Sequence, residues 1–404
     1  MIIHLKIAIS ILEILGDFIM RIGNVELNGK APKLLTHVGV TYNISSPNIE
    51  LQKALTAVKY GADIIADASL GLNCLITTKL LCSNINVPVT CLPGYVLATK
   101  NGDNELNPNL SKNEIIETTE ELFSYGVKGI TVHATLSQRH IEMLNNSSRV
   151  FPFTSRMGHY VRKYIELTGK ENPFYIYFDD IVKLTKKYNA SLSLGIALRS
   201  PTIANDGGFD NLIISEIEDT GSLVKHCMDN NVNVTVEAGG HISIDRIPEW
   251  FDFTKAKCYN APLRVLTLAS DRGMGHDNVT GAITATYLAR QGVEVICIVT
   301  RAEHISQPTI DDIRESVIHY KIALASAIPD YEKEKSVAVA RAVGGCHLPE
   351  VIRNVIDPEE AKKAYFERVK LNLNEIQIDD FKGCTMCGES CPLAGSTSSN
   401  LNPA

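Results

Sequence analysis

Runs of apolar and β-branched residues alternate along this chain with stretches of helical periodicity. Most of these runs are too apolar for a sheet with one face in water, which is typical of strands covered on both sides. Strands of this kind, separated by helices, predict a parallel sheet with crossover helices. The eight runs are residues 33–40, 62–69, 87–93, 129–135, 190–198, 233–238, 263–270 and 293–300. Eight strands predict a closed barrel, so the expected fold class is α/β, a (β/α)8 TIM-type barrel.

The same patterning divides the chain into four parts. Before the barrel, one face of a predicted amphipathic helix carries Ile7, Ile11, Ile14 and Phe18, and we expect it to dock on the body or on a partner subunit. After the barrel come polar helices and then a cysteine-containing stretch without periodicity, which is predicted to be mobile unless a metal orders it. The predicted division is 1–32 for the N-terminal helix and lead-in, 33–326 for the barrel, 327–380 for the C-terminal helical region and 381–404 for the cysteine loop and tail.

Composition and charge exclude several classes of protein. The first twenty residues are apolar but contain Lys6, Glu13 and Asp17, so they fit neither a membrane span nor a secretory signal, and Met20 is an alternative start. The formal net charge of −7 and the absence of a basic stripe argue against a nucleic-acid partner. Ten cysteines without an export signal predict a cytoplasmic protein whose thiols are free or bind metal.

Polar and titratable residues follow every predicted strand. A single such residue is more often structural than functional, but the carboxyl ends of all eight strands meet at one end of a barrel, where active sites are built. The residues are His37, Gly39, Asp67, Ser69, Tyr95, His133, Arg199, Glu237, His241, Asp271, His276, Arg301, Glu303 and His304. This ring favours an active site at the carboxyl end of the barrel.

His241 and His304 form a candidate metal site within this ring. The barrel places them after neighbouring strands, where two imidazoles can share one divalent ion, zinc or another, and leave positions open for water or substrate. The preceding Gly239 and Gly240 would let the backbone turn so that His241 points inward. The alternative is that each histidine only caps a loop, and the spacing leaves both interpretations open.

The C-terminal run C-x-x-C-x-x-x-C is the most specific motif in the chain. Its thiolates, Cys384, Cys387 and Cys391, can hold three irons of a 4Fe-4S cluster and leave the fourth iron open to an external ligand. Structural zinc is the alternative, but it would need a fourth ligand such as Cys346 or His347.

Taken together, these features resemble the phosphomethylpyrimidine synthase (ThiC-type) family of radical enzymes over residues 34–392. The resemblance rests on motifs in family order: GADIIADAS, KENPFYIYFDDI, SLSLGIALRSPTIAND, VTVEAGGH, CYNAPLRVLTLASD, VTRAEHISQP and CTMCGESC. It implies an atypical radical S-adenosylmethionine enzyme, a carbon–carbon lyase that rearranges 5-aminoimidazole ribonucleotide. Such enzymes are homodimers, and an electron donor such as flavodoxin or ferredoxin is expected.

The resemblance also implies roles for individual residues. Cys384, Cys387 and Cys391 match the cysteines that anchor the 4Fe-4S cluster, whose open iron binds S-adenosylmethionine, and His241 and His304 match the metal ligands. The substrate-binding matches are Tyr95, His133, Ser155, Arg156, Arg199 and Glu237. The chain departs from the family pattern at Leu35, His37, Met157, Ile196 and Arg264. The loss of a carboxylate at Ile196 and the gain of Arg264 are expected to change the charge of the pocket.

Four functions follow from this pattern. The departures favour a paralogue that makes 5-hydroxybenzimidazole, the lower ligand of cobamides, from the same ribonucleotide. The second function is the synthase of thiamine biosynthesis, whose product is 4-amino-5-hydroxymethyl-2-methylpyrimidine phosphate. The third is a zinc-dependent barrel hydrolase that uses His241 and His304, and the fourth is a barrel that binds its ligand without turnover.

Overall fold

The computed structural model describes residues 19–28, 31–41, 44–345 and 347–369, together with residues 384, 386, 387, 390, 392 and 393. The chain divides into two compact units, Met1–Leu324 and Ala325–Ala404. The predicted helix within residues 1–18 lies outside the described residues, and the domain bounds given above stay predictions. Among the described residues, no helix combines the length and the apolar character that crossing a membrane requires.

Eight parallel strands of the first unit close into a barrel, which confirms the predicted fold class. Their order around the barrel is β10-β3-β4-β5-β6-β7-β8-β9, so neighbours in sequence are neighbours in space and β10 pairs with β3. The barrel strands are β3 (Lys33–Val38), β4 (Ile64–Asp67), β5 (Val89–Cys91), β6 (Gly129–Val132), β7 (Ser191–Gly195), β8 (Asn233–His241), β9 (Leu263–Leu268) and β10 (Val295–Ile298). Seven of them lie within the predicted apolar runs, and β8 begins in its run and extends beyond it. An antiparallel hairpin of β1 (Arg21–Ile22) and β2 (Val25–Glu26) precedes the barrel strands.

Helices connect the barrel strands. In the first unit they are α1 (Pro47–Tyr60), α2 (Cys74–Asn84), α3 (Pro93–Thr99), α4 (Lys112–Ser124), α5 (Gln138–Asn145), α6 (Arg156–Thr168), α7 (Pro173–Ile176), α8 (Phe178–Lys187), α9 (Asn211–Asp229), α10 (Ile247–Lys257), α11 (Asp277–Gln291) and most of α12 (Ile310–Ala327). The described part of the second unit contains α13 (Lys333–Gly344), α14 (Leu348–Asn354) and α15 (Pro358–Val369), with α14 packed against both of its neighbours.

The barrel interior has an apolar half and a polar half. Residues paired in register on neighbouring parallel strands point to the same side of the sheet. The apolar half packs with Ile22 and Leu27 of the hairpin region and consists of Leu35, Ile64, Ala66, Val295 and Cys297. In the other half, Thr131, Ser193 and Thr235 lie in register on β6, β7 and β8. This polar half lies below the strand ends that carry the predicted site.

Strand β8 runs three residues further than the sequence pattern predicted and ends at His241. Gly239 and Gly240 do not form the expected turn but continue the strand with φ of +117° and +103°. A Cβ atom at Gly240 would lie 2.7 Å from the carbonyl oxygen of Ser200, so a larger residue would push the two segments apart. The amide of His241 donates to that same carbonyl at 2.9 Å, and this hydrogen bond fixes the backbone position of His241.

Candidate active site

A cavity of about 270 Å³ opens at the carboxyl ends of the barrel strands. Side chains from parallel strands converge at that end, which is why residues far apart in sequence meet there. Five of the six predicted substrate contacts line the cavity: Tyr95, His133, Arg156, Arg199 and Glu237. His37 and Arg264, two of the positions at which the chain departs from the family pattern, line it as well.

Glu237, on β8, is held between two guanidinium groups. Its Oε1 accepts a hydrogen bond from Nη1 of Arg199 at 2.9 Å, and its Oε2 lies 3.4 Å from Nη1 of Arg264. Burial alone raises the pKa of Glu237, but the charges of Arg264 and Arg199 outweigh burial and lower the pKa to about 2. Glu237 is therefore ionised at neutral pH and serves as a hydrogen-bond acceptor, not as a general acid.

Arg264 enters the barrel from β9 and is almost fully buried. Its Nη1 donates to Oγ1 of Thr131 at 2.8 Å, and its Nη2 lies 3.1 Å from Nε2 of His37. Burial and then the charge of Arg264 lower the pKa of His37 to about 3, so this imidazole is neutral and can accept the hydrogen bond. The Nε of Arg264 has no hydrogen-bond partner among the described residues. The guanidinium of Arg264 thus forms the floor of the cavity, and it contacts two neutral groups, His37 and Thr131, and the carboxylate of Glu237.

The other three departures do not lie among the residues that line the cavity. Leu35 packs in the apolar half of the barrel, and the sulfur of Met157 packs against Gly94. Ile196 is fully buried and follows Gly195, whose Cα faces the interior, so its side chain points to the opposite face of the sheet. The expectation that Ile196 changes the charge of the pocket is therefore wrong, and Arg264 alone adds charge there.

His133, just beyond β6, lies against the wall of the cavity that β7 forms. A Cβ atom at Gly195 would approach Cε1 of this imidazole to 2.5 Å, so glycine is required for the ring to lie where it does. Both ring nitrogens are buried without a hydrogen-bond partner among the described residues, and burial lowers the pKa of His133 to about 4. His133 is a neutral imidazole whose hydrogen-bonding capacity is available to a ligand.

Ser155, the sixth predicted substrate contact, is not among the residues that line the cavity. Its hydroxyl accepts a hydrogen bond from the amide of Gly158 at 3.0 Å and caps the N-terminus of α6. Arg156 is the first residue of that helix, and its guanidinium carbon lies 5.6 Å from the ring centre of Tyr95, a cation–π contact. Ser155 thus sets the start of the helix that carries Arg156.

Glu216 is a buried residue that the sequence reasoning missed. It lies on α9, is fully buried, and its carboxylate accepts hydrogen bonds from the amides of Ala197 and Leu198 at 2.9 and 2.6 Å and from the hydroxyl of Thr135 at 2.9 Å. These bonds hold the segment after β7 that leads to Arg199. No motif and no predicted strand end marks this position in the sequence.

His241 and His304 come together as predicted, with ring centres 5.2 Å apart. Nδ1 of His241 lies 2.6 Å from Oδ1 of Asp271, and Nδ1 of His304 lies 3.2 Å from Oδ1 of Asp277. Asp271 is one of the predicted strand-end residues, whereas Asp277 was missed because it follows a loop and begins α11. Neither histidine is among the residues that line the cavity, although Glu303 is.

The histidine pair fits a shared divalent ion. Two imidazoles bound to one tetrahedral zinc at about 2.0 Å would have ring centres about 5 Å apart, close to the observed separation. Both Nδ1 atoms face carboxylates, which leaves Nε2 as the nitrogen available to a cation. Among the described residues, no group of three or more His, Cys, Asp or Glu side chains forms a complete metal site. A metal held here would therefore have only two imidazoles from this part of the chain and open positions for other ligands.

Two of the three predicted cluster ligands lie among the described residues of the second unit. Cys384 and Cys387 are exposed free thiols, and the amide of Met386 donates to Sγ of Cys384 at 3.4 Å. Backbone amides that donate to sulfur are typical of iron–sulfur ligation, so this donor set fits the cluster. Cys391 lies outside the described residues, as does Cys346, which the zinc alternative would use.

Residues 19–398 match the sequence model of the Radical SAM ThiC family. The chain belongs to this family. Membership confirms the resemblance and implies the 4Fe-4S cluster and S-adenosylmethionine that radical SAM enzymes use.

Curated relatives agree with this family assignment. Proteins named phosphomethylpyrimidine synthase from Carboxydothermus hydrogenoformans and Thermoanaerobacter pseudethanolicus are 33% and 34% identical to this chain, and one from Pyrococcus furiosus is 31% identical. Each match covers 90% of this chain and 84% of the relative. A solved dihydropteroate synthase from Yersinia pestis matches 75% of this chain and 94% of its own at 12% identity, with a TM-score of 0.42.

Proposed function

We propose that this chain is a radical S-adenosylmethionine lyase that converts 5-aminoimidazole ribonucleotide into 4-amino-5-hydroxymethyl-2-methylpyrimidine phosphate. The observation that carries the proposal is the cavity at the barrel mouth, which Arg156, Arg199, His133 and the ionised Glu237 line together. Cations suit a phosphate, and a carboxylate suits ribose hydroxyls. The names of the relatives support this product ahead of 5-hydroxybenzimidazole. The departures from the family pattern had favoured 5-hydroxybenzimidazole as the first candidate.

Each group of the cavity has a role in this proposal. Arg156 and Arg199 bind the phosphate, Glu237 accepts hydrogen bonds from the ribose, and the unpartnered nitrogens of His133 bind a polar edge of the substrate. Tyr95 orients Arg156 through their cation–π contact. The enclosing barrel wall keeps water away from reactive intermediates.

The cofactors of the proposal belong to two sites. Cys384, Cys387 and Cys391 would hold the 4Fe-4S cluster, which together with S-adenosylmethionine supplies a 5′-deoxyadenosyl radical when bound. His241 and His304 would hold zinc or another divalent ion beside the cavity. The proposal also includes flavodoxin or ferredoxin as electron donor and a second copy of this chain in a homodimer.

A second candidate product is 5-hydroxybenzimidazole, and the floor of the cavity favours it. His37 and Arg264 both depart from the family pattern, and both line the cavity, where they contact each other and Arg264 also contacts Glu237. A changed cation at the base of a pocket alters which ring rearrangement is stabilised, because reaction paths differ in where charge develops.

Product analysis tests both candidates. The protein is reconstituted anaerobically with iron and sulfide and incubated with dithionite, S-adenosylmethionine and aminoimidazole ribonucleotide, and the products are identified by mass spectrometry. We expect 5′-deoxyadenosine and the pyrimidine phosphate. Hydroxybenzimidazole instead would establish the second candidate. A protein that assembles no cluster under these conditions would contradict both, and the Cys387→Ala variant supplies the cluster-free control.

A further inference from the structure

Each of the two candidate metal ligands, His241 and His304, lies beside a carboxylate, and another part of the chain positions each carboxylate. Asp271 follows β9, and besides facing Nδ1 of His241 its Oδ2 accepts a hydrogen bond from the hydroxyl of Thr202 at 2.5 Å. The amide of Ile203 donates to the same carboxylate at 3.1 Å. The loop after β7 therefore fixes the orientation of Asp271, and Asp271 in turn fixes the imidazole.

The second carboxylate is held by a helix. Asp277 is the first residue of α11, where the unpaired amides of the first turn favour a negative charge. Its side chain is 1% exposed, and its Oδ1 faces Nδ1 of His304 at 3.2 Å. Its Oδ2 is buried without a hydrogen-bond partner among the described residues, so the interaction with His304 is the main use of this buried charge.

These contacts have a common effect on the imidazoles. A carboxylate beside Nδ1 favours the proton on that nitrogen and so directs the lone pair to Nε2. A carboxylate lies beside Nδ1 of both histidines, within hydrogen-bond distance at His241 and at 3.2 Å at His304, and the two carboxylates come from different segments of the chain. This arrangement also places a carboxylate behind each imidazole, which raises the affinity of the pair for a cation.

We propose that Asp271 and Asp277 are positioning residues that hold His241 and His304 in the Nδ1–H form, with both Nε2 atoms presented to one divalent cation. This inference rests on the metal site of the proposed function and adds the residues that set its affinity. It also assigns Thr202 an indirect part, since Thr202 holds Asp271.

Metal binding to the full-length protein tests this role without any turnover. Because the cysteine run can itself bind zinc, every protein in this test also carries Cys384→Ser, Cys387→Ser and Cys391→Ser. These proteins are freed of metal and titrated with Zn²⁺ in competition with a chromophoric chelator, and Co²⁺-loaded samples are compared by their visible absorption. We expect Asp271→Asn and Asp277→Asn each to weaken Zn²⁺ binding about 10–100-fold and to change the Co²⁺ spectrum. Thr202→Val should cause a smaller loss of Zn²⁺ affinity. This variant still tests the role of Asp271 if an aspartate variant does not fold.

Control variants separate the possible failures. Asp245→Asn removes an exposed carboxylate from the short 3-10 helix Ile244–Arg246 that follows β8, and it should leave affinity and spectrum unchanged. If His241→Ala and His304→Ala abolish binding while the aspartate and Thr202 variants bind as the wild type does, the positioning role is wrong and the metal site stands. If the histidine variants bind Zn²⁺ as tightly as the wild type, the metal site itself is wrong, and the positioning role with it.

Discussion

At the scale of single residues, burial and nearby charge decide the protonation states in the cavity. Glu237 is ionised because two arginines outweigh its burial, whereas His37 and His133 are neutral because burial disfavours their charged forms. The protonation states of these groups therefore stay constant over the whole neutral pH range. None of the three side chains titrates near pH 7.

Replacing Arg264 should destabilise the fold. Arg264→Met leaves Oε2 of Glu237 and the hydroxyl of Thr131 without their buried donor, and breaking a buried ion pair costs on the order of 3 kcal/mol. We expect the thermal unfolding midpoint to fall by several degrees. Arg290→Met, which removes an exposed arginine of α11, is the control and should melt as the wild type does. Equal midpoints for the two variants would show that Arg264 is not coupled to Glu237.

Asp67 should make stability depend on pH. Burial raises the pKa of this carboxyl to about 6, against hydrogen bonds from Ser69 and Thr78. Since the folded state binds the proton more tightly than the unfolded state, stability falls as pH rises from about 4 to about 6 and stays lower above that range. A shift of about two units corresponds to about 3 kcal/mol.

The Asp67→Asn variant should remove this dependence. An amide can donate to the hydroxyl of Thr78, which also lies within reach of the carbonyl of Cys74, and can still accept from the amide of Ser69. We expect the variant to gain stability relative to the wild type between pH 5 and pH 7, measured by denaturant unfolding at both values. Asp103→Asn, at an exposed position, is the control. If the free energies of unfolding of Asp67→Asn and wild type differ by the same amount at pH 5 and pH 7, the raised pKa of Asp67 is contradicted.

At the scale of elements, one helix holds the segment after β7 that leads to Arg199, a proposed substrate contact. Glu216→Gln replaces one acceptor oxygen by an amide that faces a backbone N–H, and a buried unpaired donor costs about 1–3 kcal/mol. We expect a lower unfolding midpoint and weaker ribonucleotide binding to cluster-free protein by calorimetry, since Arg199 is displaced. Glu218→Gln on the exposed face of the same helix loses only a surface ion pair and should change neither. Unchanged binding in Glu216→Gln would limit Glu216 to a structural role.

At the scale of the whole molecule, the barrel and the cysteine loop belong to different units. Cys387→Ala should therefore abolish cluster assembly, measured as bound iron and sulfide after reconstitution, while the barrel melts as in the wild type. Cys82→Ala, which alters a half-buried thiol of the barrel unit, should keep its iron. Loss of the whole fold in Cys387→Ala would contradict a separable cluster loop.

Some features of the site could be predicted from the sequence, and others could not. His241, His304, Glu237 and His133 were predictable because each lies at or soon after the carboxyl end of an apolar run, and barrel strands all end at the same mouth. Asp277 and Glu216 were missed because they lie on helices, where periodicity predicts which face is buried but not which polar atom a buried carboxylate meets. Ile196 was wrongly placed in the cavity because a motif match identifies a position along the chain but not the face of the strand that its side chain occupies.

The sequence by itself determined the order and number of the strands, because a strand buried on both sides must be apolar along its length. It also determined the family and the cysteine spacing that a cluster requires, since both are properties of the linear chain. Only the tertiary structure decided which polar groups meet. Closing the barrel brings β10 beside β3, and a shift of one residue in a strand moves a side chain to the other face of the sheet. The contact of Arg264 with His37 follows from that closure. The pairing of Arg264 with Glu237 and of each histidine with its aspartate follows from the register of neighbouring strands.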